Sequence, residues 1–311
     1  MSNTVGIIGV GHVGASVADT LMLRESVSKI ILIDKNDKKS QAEQNDLMDQ
    51  NSFLSNDIVV EKINYQSNWS SLSECDVLVI SAGDIKLLGG ENPDRLAELK
   101  NSVSIINEIA PKIKNSGFNG IVVNITNPCD VVVTYLQNLL YYPKDKIIGT
   151  GTTLDTSRMR KAVASQFNCG IQDVSGFVMG EHGESQFTAW STVRVAGTPI
   201  VEKAKEDNLD LNGLKEQARL GAWYIINGKG FTSYGIGITT TVIAEAILND
   251  ARKVFSLSSY NEKYKTYVGQ LTRIGKTGVI KNINIDLNDK EKDLFKNSAQ
   301  GLRKKFEEIV K

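Results

Sequence analysis

Val5-Gly6-Ile7-Ile8-Gly9-Val10-Gly11-His12-Val13-Gly14 is the stretch that decides the fold. A β-branched apolar run, Val5–Ile8, passes directly into G-x-G-x-x-G, and a helix-compatible run, Val13–Leu23, follows. Strand, glycine turn and helix in that order open a dinucleotide-binding sheet. Gly9 permits the tight turn, Gly11 lets the backbone approach a pyrophosphate, and Gly14 lets the helix pack on the strand. His12 and Val13 fill the variable positions beside the phosphates, where the N–H groups of the helix start carry partial positive charge. Asp34 ends the next apolar run, 20 residues beyond Gly14. A carboxylate there accepts hydrogen bonds from the ribose hydroxyls and repels a 2′-phosphate, which points to NAD rather than NADP.

Outward from this unit, Val/Ile-rich runs alternate with helical patterns. Strands are expected at Val5–Ile8, Lys29–Ile33, Asp76–Ile80, Gly120–Asn124 and Lys146–Ile148. Helices are expected at Val13–Leu23, Lys38–Phe53, Arg95–Asn115 and Pro128–Leu140. That alternation predicts an α/β fold, a Rossmann-type parallel sheet covered on both faces over residues 1–149. The rhythm then changes. Residues 150–311 read as an α+β substrate or catalytic domain. Its helices are expected near Asp155–Phe167, Leu214–Asn227, Ile236–Asn249 and Lys290–Lys311. Its strands are expected near Val174–Met179, Ser191–Val195, Val254–Leu257 and Val268–Ile274. No linker marks the boundary, so the two parts are expected to pack closely.

The chain's 311 residues suffice for one large domain or two ordinary ones. Lys+Arg and Asp+Glu balance at 36 each, which gives no electrostatic reason to expect nucleic acid or an anionic membrane as partner. Cys75, Cys129 and Cys169 form neither a metal pattern nor a disulfide framework, which suits a reducing compartment. No signal-peptide pattern and no run of about 18 apolar residues is present, and the expectation is a soluble, cytoplasmic protein.

Four features carry candidate chemistry. His182, one of only two histidines, sits in Gly180-Glu181-His182-Gly183 after an apparent strand. Asp155 and Arg158 are i,i+3 neighbours on a helix. Asn127-Pro128 follows the fifth strand, where open α/β sheets bind ligands. Arg95 opens a helix after the glycine-bearing loop 83–94. Taken singly, each also reads blandly: a structural histidine, a surface ion pair, a loop turn.

Together they resemble the lactate/malate dehydrogenase family over essentially the whole chain. The matching landmarks are Gly9–Gly14, Asp34, Ser81-Ala82-Gly83, Asp94-Arg95-Leu96, Asn124–Pro128, Gly149–Thr152, Leu154–Arg158, Gly180–Gly183 and Lys229–Ser233. Within the family, Ile85-Lys86-Leu87, Ala97–Lys100 and Ser185–Val195 are similar to the branch that handles 2-hydroxyisocaproate.

The resemblance implies a hydride exchange between NAD and C2 of a small 2-hydroxy/2-oxo acid. His182 would exchange the proton, Asp155 would orient it, and Arg95 would polarise the carbonyl from a closing loop. Arg158 would grip the substrate carboxylate through two parallel bonds, with Asn127 and Thr232 beside it. Ala82, Gly83, Asn127 and Ile236 would line the cofactor, and the bond before Pro128 would be cis. No metal is expected. The stretch Asn36–Phe53, with Leu47, Met48 and Phe53, lies where the family pairs subunits, implying a homodimer or homotetramer. Arg160 stands where some bacterial lactate dehydrogenases use an arginine for fructose 1,6-bisphosphate, but Ser175 replaces its histidine partner, so no activation is expected.

The substrate's size is read from the loop Asp84–Asp94. Malate dehydrogenases of the family carry an arginine there; this loop has none, and Lys86 is its only cation. Leu87 and Leu88 would line an apolar pocket, with the small Gly221 and Ala222 opposite. The expectation is an aliphatic 2-oxo acid larger than pyruvate, resembling 2-oxoisocaproate, with lactate and then malate as alternatives. Two other classes compete: an NAD-binding sensor without turnover, which has no need of a proton donor, and an NAD- and metal-dependent glycosidase. The latter needs a Cys/His metal site, and neither His12 nor His182 has a cysteine near it in sequence.

Overall fold

The computed structural model describes residues 3–83 and 95–310; for Arg95 only the main chain is described. Lys86, Leu87, Leu88 and the rest of the loop 84–94 lie outside the described residues, as does the side chain of Arg95.

The parallel strands are β1 (Thr4–Ile8), β2 (Lys29–Asp34), β3 (Val59–Asn64), β4 (Val77–Ile80), β5 (Ile121–Asn124) and β6 (Ile147–Gly149). They lie in the order β3-β2-β1-β4-β5-β6, so the winding reverses between β1 and β4. Their alternating residues are buried on both faces. Val5, Ile7, Ile30, Leu32, Val77 and Val79 point to one core, and Ile8, Ile31, Ile33, Leu78 and Ile80 to the other. Helices α1 (His12–Leu23), α2 (Asp37–Asp49), α3 (Arg95–Asn115) and α4 (Cys129–Leu140) connect them. Two-sided apolar burial is what a wholly parallel sheet requires, and it is why these strands read as continuous Val/Ile runs.

Beyond β6 come α5 (Thr153–Gln166), the two-residue strands β7 (Val174–Ser175), β8 (Val178–Met179), β9 (Phe187–Thr188), β10 (Arg194–Val195) and β11 (Thr198–Pro199), and α6 (Ile200–Glu206). Then follow α7 (Leu211–Lys229), α8 (Tyr234–Leu248), β12 (Val254–Asn261), β13 (Thr266–Gly275), β14 (Gly278–Asn282) and α9 (Asp289–Ile309). The antiparallel set β12–β14 extends the parallel sheet through Ser258 of β12 opposite Gly149 of β6. Helix α8 packs beside α1, with Ile243, Ala244 and Ile247 in the same core as Val17 and Leu21. A Cβ on Gly237 would stand 2.5 Å from the Ser16 hydroxyl, so the two helices approach backbone to backbone. One sheet and one core therefore run through both halves of the chain.

Several local expectations change. Strand β3 went unread because Glu61-Lys62 interrupts its apolar pattern; it is an edge strand with Val59 exposed. The short elements α6 and β14 also went unread. Val174–Met179 is not one strand: it breaks at Gly176, whose φ is 116°. Trp190–Thr192 is a 3-10 turn, leaving only Arg194–Val195 extended. Helix α2 stops at Asp49 and gives way to a 3-10 turn. Leu47 is buried in the core, whereas Met48 and Phe53 are exposed.

Candidate active site

The glycine loop leaves β1 at the switch point of the sheet. Gly9 has φ 89°, and a Cβ there would lie 2.7 Å from the Ser81 carbonyl oxygen. At Gly14 a Cβ would collide with the Gly9 carbonyl. At Gly11 it would meet nothing within 4 Å, and no side chain caps the start of α1. Uncapped N–H groups beside an open glycine cradle fit a dinucleotide pyrophosphate. Asp34 stands at the tip of β2. Its Oδ2 accepts from the Val10 N–H at 2.8 Å and its Oδ1 from the Asn36 N–H at 2.8 Å, so the carboxylate also ties the glycine loop to β2. Ala82 and Gly83 follow β4 on the same edge, and the Thr126 hydroxyl bonds the Ala82 carbonyl at 2.8 Å. The Asn127–Pro128 bond is cis, and the Asn127 carbonyl accepts from the Ser102 hydroxyl at 2.6 Å.

The second group of residues converges from four elements. Helix α5 starts just after β6 and sets Asp155 in its first turn and Arg158 one turn on. Asp155 is buried, with its Oδ1 on Arg158 Nη1 at 2.9 Å and its Oδ2 on His182 Nδ1 at 2.6 Å. The His182 turn is pinned from the sheet: Gly180 and Gly269 of β13 exchange two backbone bonds of 2.9 Å. Glu181, next to it, is clamped by Lys305 of α9 at 2.5 Å and by the Ser185 hydroxyl at 2.6 Å. Asp130, in the first turn of α4, accepts the His182 backbone N–H at 2.7 Å.

The side chain of His182 remains 28% exposed, so one side of the ring faces open space. The Asp155 carboxylate holds His182 above the ordinary histidine range against the effect of burial. Burial pushes Asp155 up, but His182 and Arg158 outweigh it and keep its pKa below the ordinary carboxylate value. The result is one bonded triad of Arg158, Asp155 and His182.

The turn after α7 closes the gap between the two groups. Phe231 stacks on His12 of the glycine loop, with ring centroids 3.7 Å apart and planes 3° from parallel. Thr232 follows Phe231, and Ile236 sits half-buried in the first turn of α8. A Cβ on Gly221 of α7 would stand 3.3 Å from Arg158 Cδ, so α7 lies directly against the arginine.

Thus Gly9, Gly11, His12, Val13, Gly14, Asp34, Ala82, Gly83 and Asn127 gather at the carboxyl edge of the sheet, and Asp155, Arg158 and His182 form one bonded cluster. Sequence reasoning passed over Asp130, and it gave no role to Glu181 and Phe231, which it named only within the landmarks Gly180–Gly183 and Lys229–Ser233. Asp130 had a signal: it is the one carboxylate before the apolar run Val131–Val133, at a helix start following Asn127-Pro128.

Residues 3–149 match the family model described as the lactate/malate dehydrogenase NAD binding domain, and residues 152–311 match its alpha/beta C-terminal domain. The chain is 34% identical to an L-lactate dehydrogenase of Fusobacterium nucleatum, with 97% of this chain and 96% of that protein covered. It is 33% identical to L-lactate dehydrogenase 2 of Listeria monocytogenes, with 98% of each covered. The minor L-lactate dehydrogenase of Enterococcus mundtii in its ligands-bound form superposes with a TM-score of 0.92 at 30% identity, covering 99% of this chain and 98% of that one. The chain is an NAD-dependent oxidoreductase acting on 2-hydroxy acids. It belongs to the lactate/malate dehydrogenase family.

Proposed function

We propose that the chain reduces an aliphatic 2-oxo acid larger than pyruvate, of the 2-oxoisocaproate type, and runs the reverse oxidation of the corresponding 2-hydroxy acid. Gly221 seats the Arg158 side chain, and what supports the size preference is the small Ala222 next to it on α7, the helix that lies against the arginine. The sequence of the loop 84–94 contains Leu87 and Leu88 and no arginine. L-Lactate is the second reading, favoured by the names of the similar enzymes. Malate is third, since Lys86 alone offers no bidentate partner for a second carboxylate.

The roles follow from chemistry. Arg158 binds the substrate carboxylate through its planar fork while Asp155 keeps it in place. With Nδ1 of His182 engaged by Asp155, Nε2 is the atom that gives a proton to the carbonyl oxygen and takes it back in oxidation. Bound NADH supplies the hydride. Arg95 stabilises negative charge growing on the carbonyl oxygen. Asn127 and Thr232 contact the substrate, and Ile236 excludes water beside the cofactor.

Among the described residues no helix is long and apolar enough to cross a membrane, and a cytoplasmic enzyme is the reading we favour. Exposed Met48 and Phe53 support pairing of two copies as a homodimer or a homotetramer built on it. Phe53→Lys is expected to lower the sedimentation mass.

Steady-state comparison of 2-oxoisocaproate, pyruvate and oxaloacetate at saturating NADH tests the substrate. Each buried methylene contributes about 0.8 kcal/mol, and one methylene shifts discrimination by roughly 10-fold. 2-Oxoisocaproate is expected to have the highest kcat/KM. A win for pyruvate makes the chain a lactate dehydrogenase with an unusual loop; a win for oxaloacetate assigns Lys86 to the second carboxylate.

A further inference from the structure

Asp130 is a buried carboxylate in an apolar setting. Its neighbours on α4, Val131, Val132 and Val133, are all buried in the core. Its Oδ2 accepts the main-chain N–H of His182 at 2.7 Å. Its Oδ1 is buried with no hydrogen bond of ordinary geometry, and the Ser258 hydroxyl of β12 stands beside the carboxylate, close enough to favour its charge. A buried, half-satisfied carboxylate costs free energy, and an apolar residue of similar volume is often neutral or stabilising in its place. Its position at the start of α4 offsets part of that cost, because the uncapped N–H groups of the first turn favour an anion. Packing gives no reason for a carboxylate here; the contact with His182 gives one.

We propose that Asp130 is a positioning residue for His182, fixing the histidine's main chain from behind while Asp155 fixes its ring. The inference rests on the reading of His182 as the proton-exchanging group. Two carboxylates, on α4 and α5, then bracket one histidine, and each adds negative charge to its surroundings. Among the described residues, the other charged groups near the histidine are Arg158, which opposes them, and the adjacent Glu181, whose charge is matched by Lys305. Burial pushes Asp130 up to about 6, with His182 and the neighbouring Ser258 acting the other way, so it is ionised at neutral pH. Its charge there favours the imidazolium.

The chain has only two histidines, so His182 can be followed by NMR with His12 as an internal control. Asp130→Asn keeps an acceptor for the N–H and removes the charge; Asp130→Ala removes both. In Asp130→Asn the ring titration of His182 is expected to move down by about one pH unit while His12 stays put. The falling limb of kcat/KM for 2-oxo acid reduction should move with it. Asp130→Ala should shift the same limb and also lower kcat by roughly 10-fold or more at its pH optimum, because the ring loses its seat. An unshifted His182 titration and limb in Asp130→Asn, alongside an inactive His182→Asn, overturns the role of Asp130 and leaves the active-site reading standing. Normal turnover by His182→Asn overturns that reading instead, and the inference with it.

Discussion

Asp155 holds Arg158 and His182 on its two oxygens at once, Oδ1 at 2.9 Å from Arg158 Nη1 and Oδ2 at 2.6 Å from His182 Nδ1. One buried carboxylate thus orients both the group assigned to substrate binding and the group assigned to proton exchange. The direction of pH dependence follows. The pKa of His182 lies above 6.5, chiefly because of Asp155. With His182 as the proposed proton donor, reduction requires the protonated ring, so its kcat/KM is constant below that pKa and falls as pH rises through it. Oxidation requires the neutral ring and gains over the same interval. Rate profiles in both directions from pH 5 to 10 check this; parallel profiles would contradict it.

Removing the proton carrier should separate chemistry from binding. His182→Asn is expected to slow the chemical step by roughly 10²–10⁴-fold. Asp155→Asn should also move the limb to lower pH and raise the KM for the 2-oxo acid, since Arg158 loses its partner. Fluorescence titration with NADH should find affinity little changed in His182→Asn, whose contacts lie away from the glycine loop.

The proposed role of Asp34 in cofactor choice is tested by substitution. Asp34→Ser should narrow the preference for NADH over NADPH, because the charge that repels a 2′-phosphate is gone. The carboxylate also ties Val10 and Asn36, so the same variant should bind NADH more weakly. Equal efficiency of the unaltered chain with both cofactors would refute the assignment.

Gly221 is the seat of the Arg158 side chain. A leucine there would push the Arg158 side chain aside, since a Cβ alone would stand 3.3 Å from its Cδ and 3.7 Å from its Nε. Gly221→Leu is expected to raise the KM for 2-oxo acids by roughly 10-fold or more with little change in NADH affinity, as for loss of a charge-assisted bidentate pair. An unchanged KM would show that Arg158 does not hold the substrate.

Fructose 1,6-bisphosphate should not activate the enzyme. Arg160 spends its guanidinium on the Gly176 carbonyl at 3.2 Å and on the Phe177 ring at 5.8 Å, and Ser175 offers no cation. A fall in apparent KM on adding the sugar bisphosphate would show this wrong.

The parallel sheet and its cofactor edge were legible in the chain because their signals are local. A two-sided buried strand must be a Val/Ile run, and a glycine loop must place its glycines at set intervals, so Val5–Gly14 and Asp34 carried most of the first half. The Asp155–Arg158 pair was local too, one helical turn apart. His182 was a different case: nothing within its own segment separates a catalytic histidine from a structural one, and only the family landmarks singled it out. Tertiary structure brings the ring 2.6 Å from Asp155, and it does so through the Gly180–Gly269 bridge and the Glu181–Lys305 clamp, contacts between segments far apart in sequence. The same holds for Asp130, Phe231 and β3. Each owes its place to a partner on another element: a main-chain N–H, the His12 ring, or the edge of β2. Burial and pairing across the fold are properties of the packed chain, and no periodicity along the sequence encodes which distant group will stand opposite a given side chain.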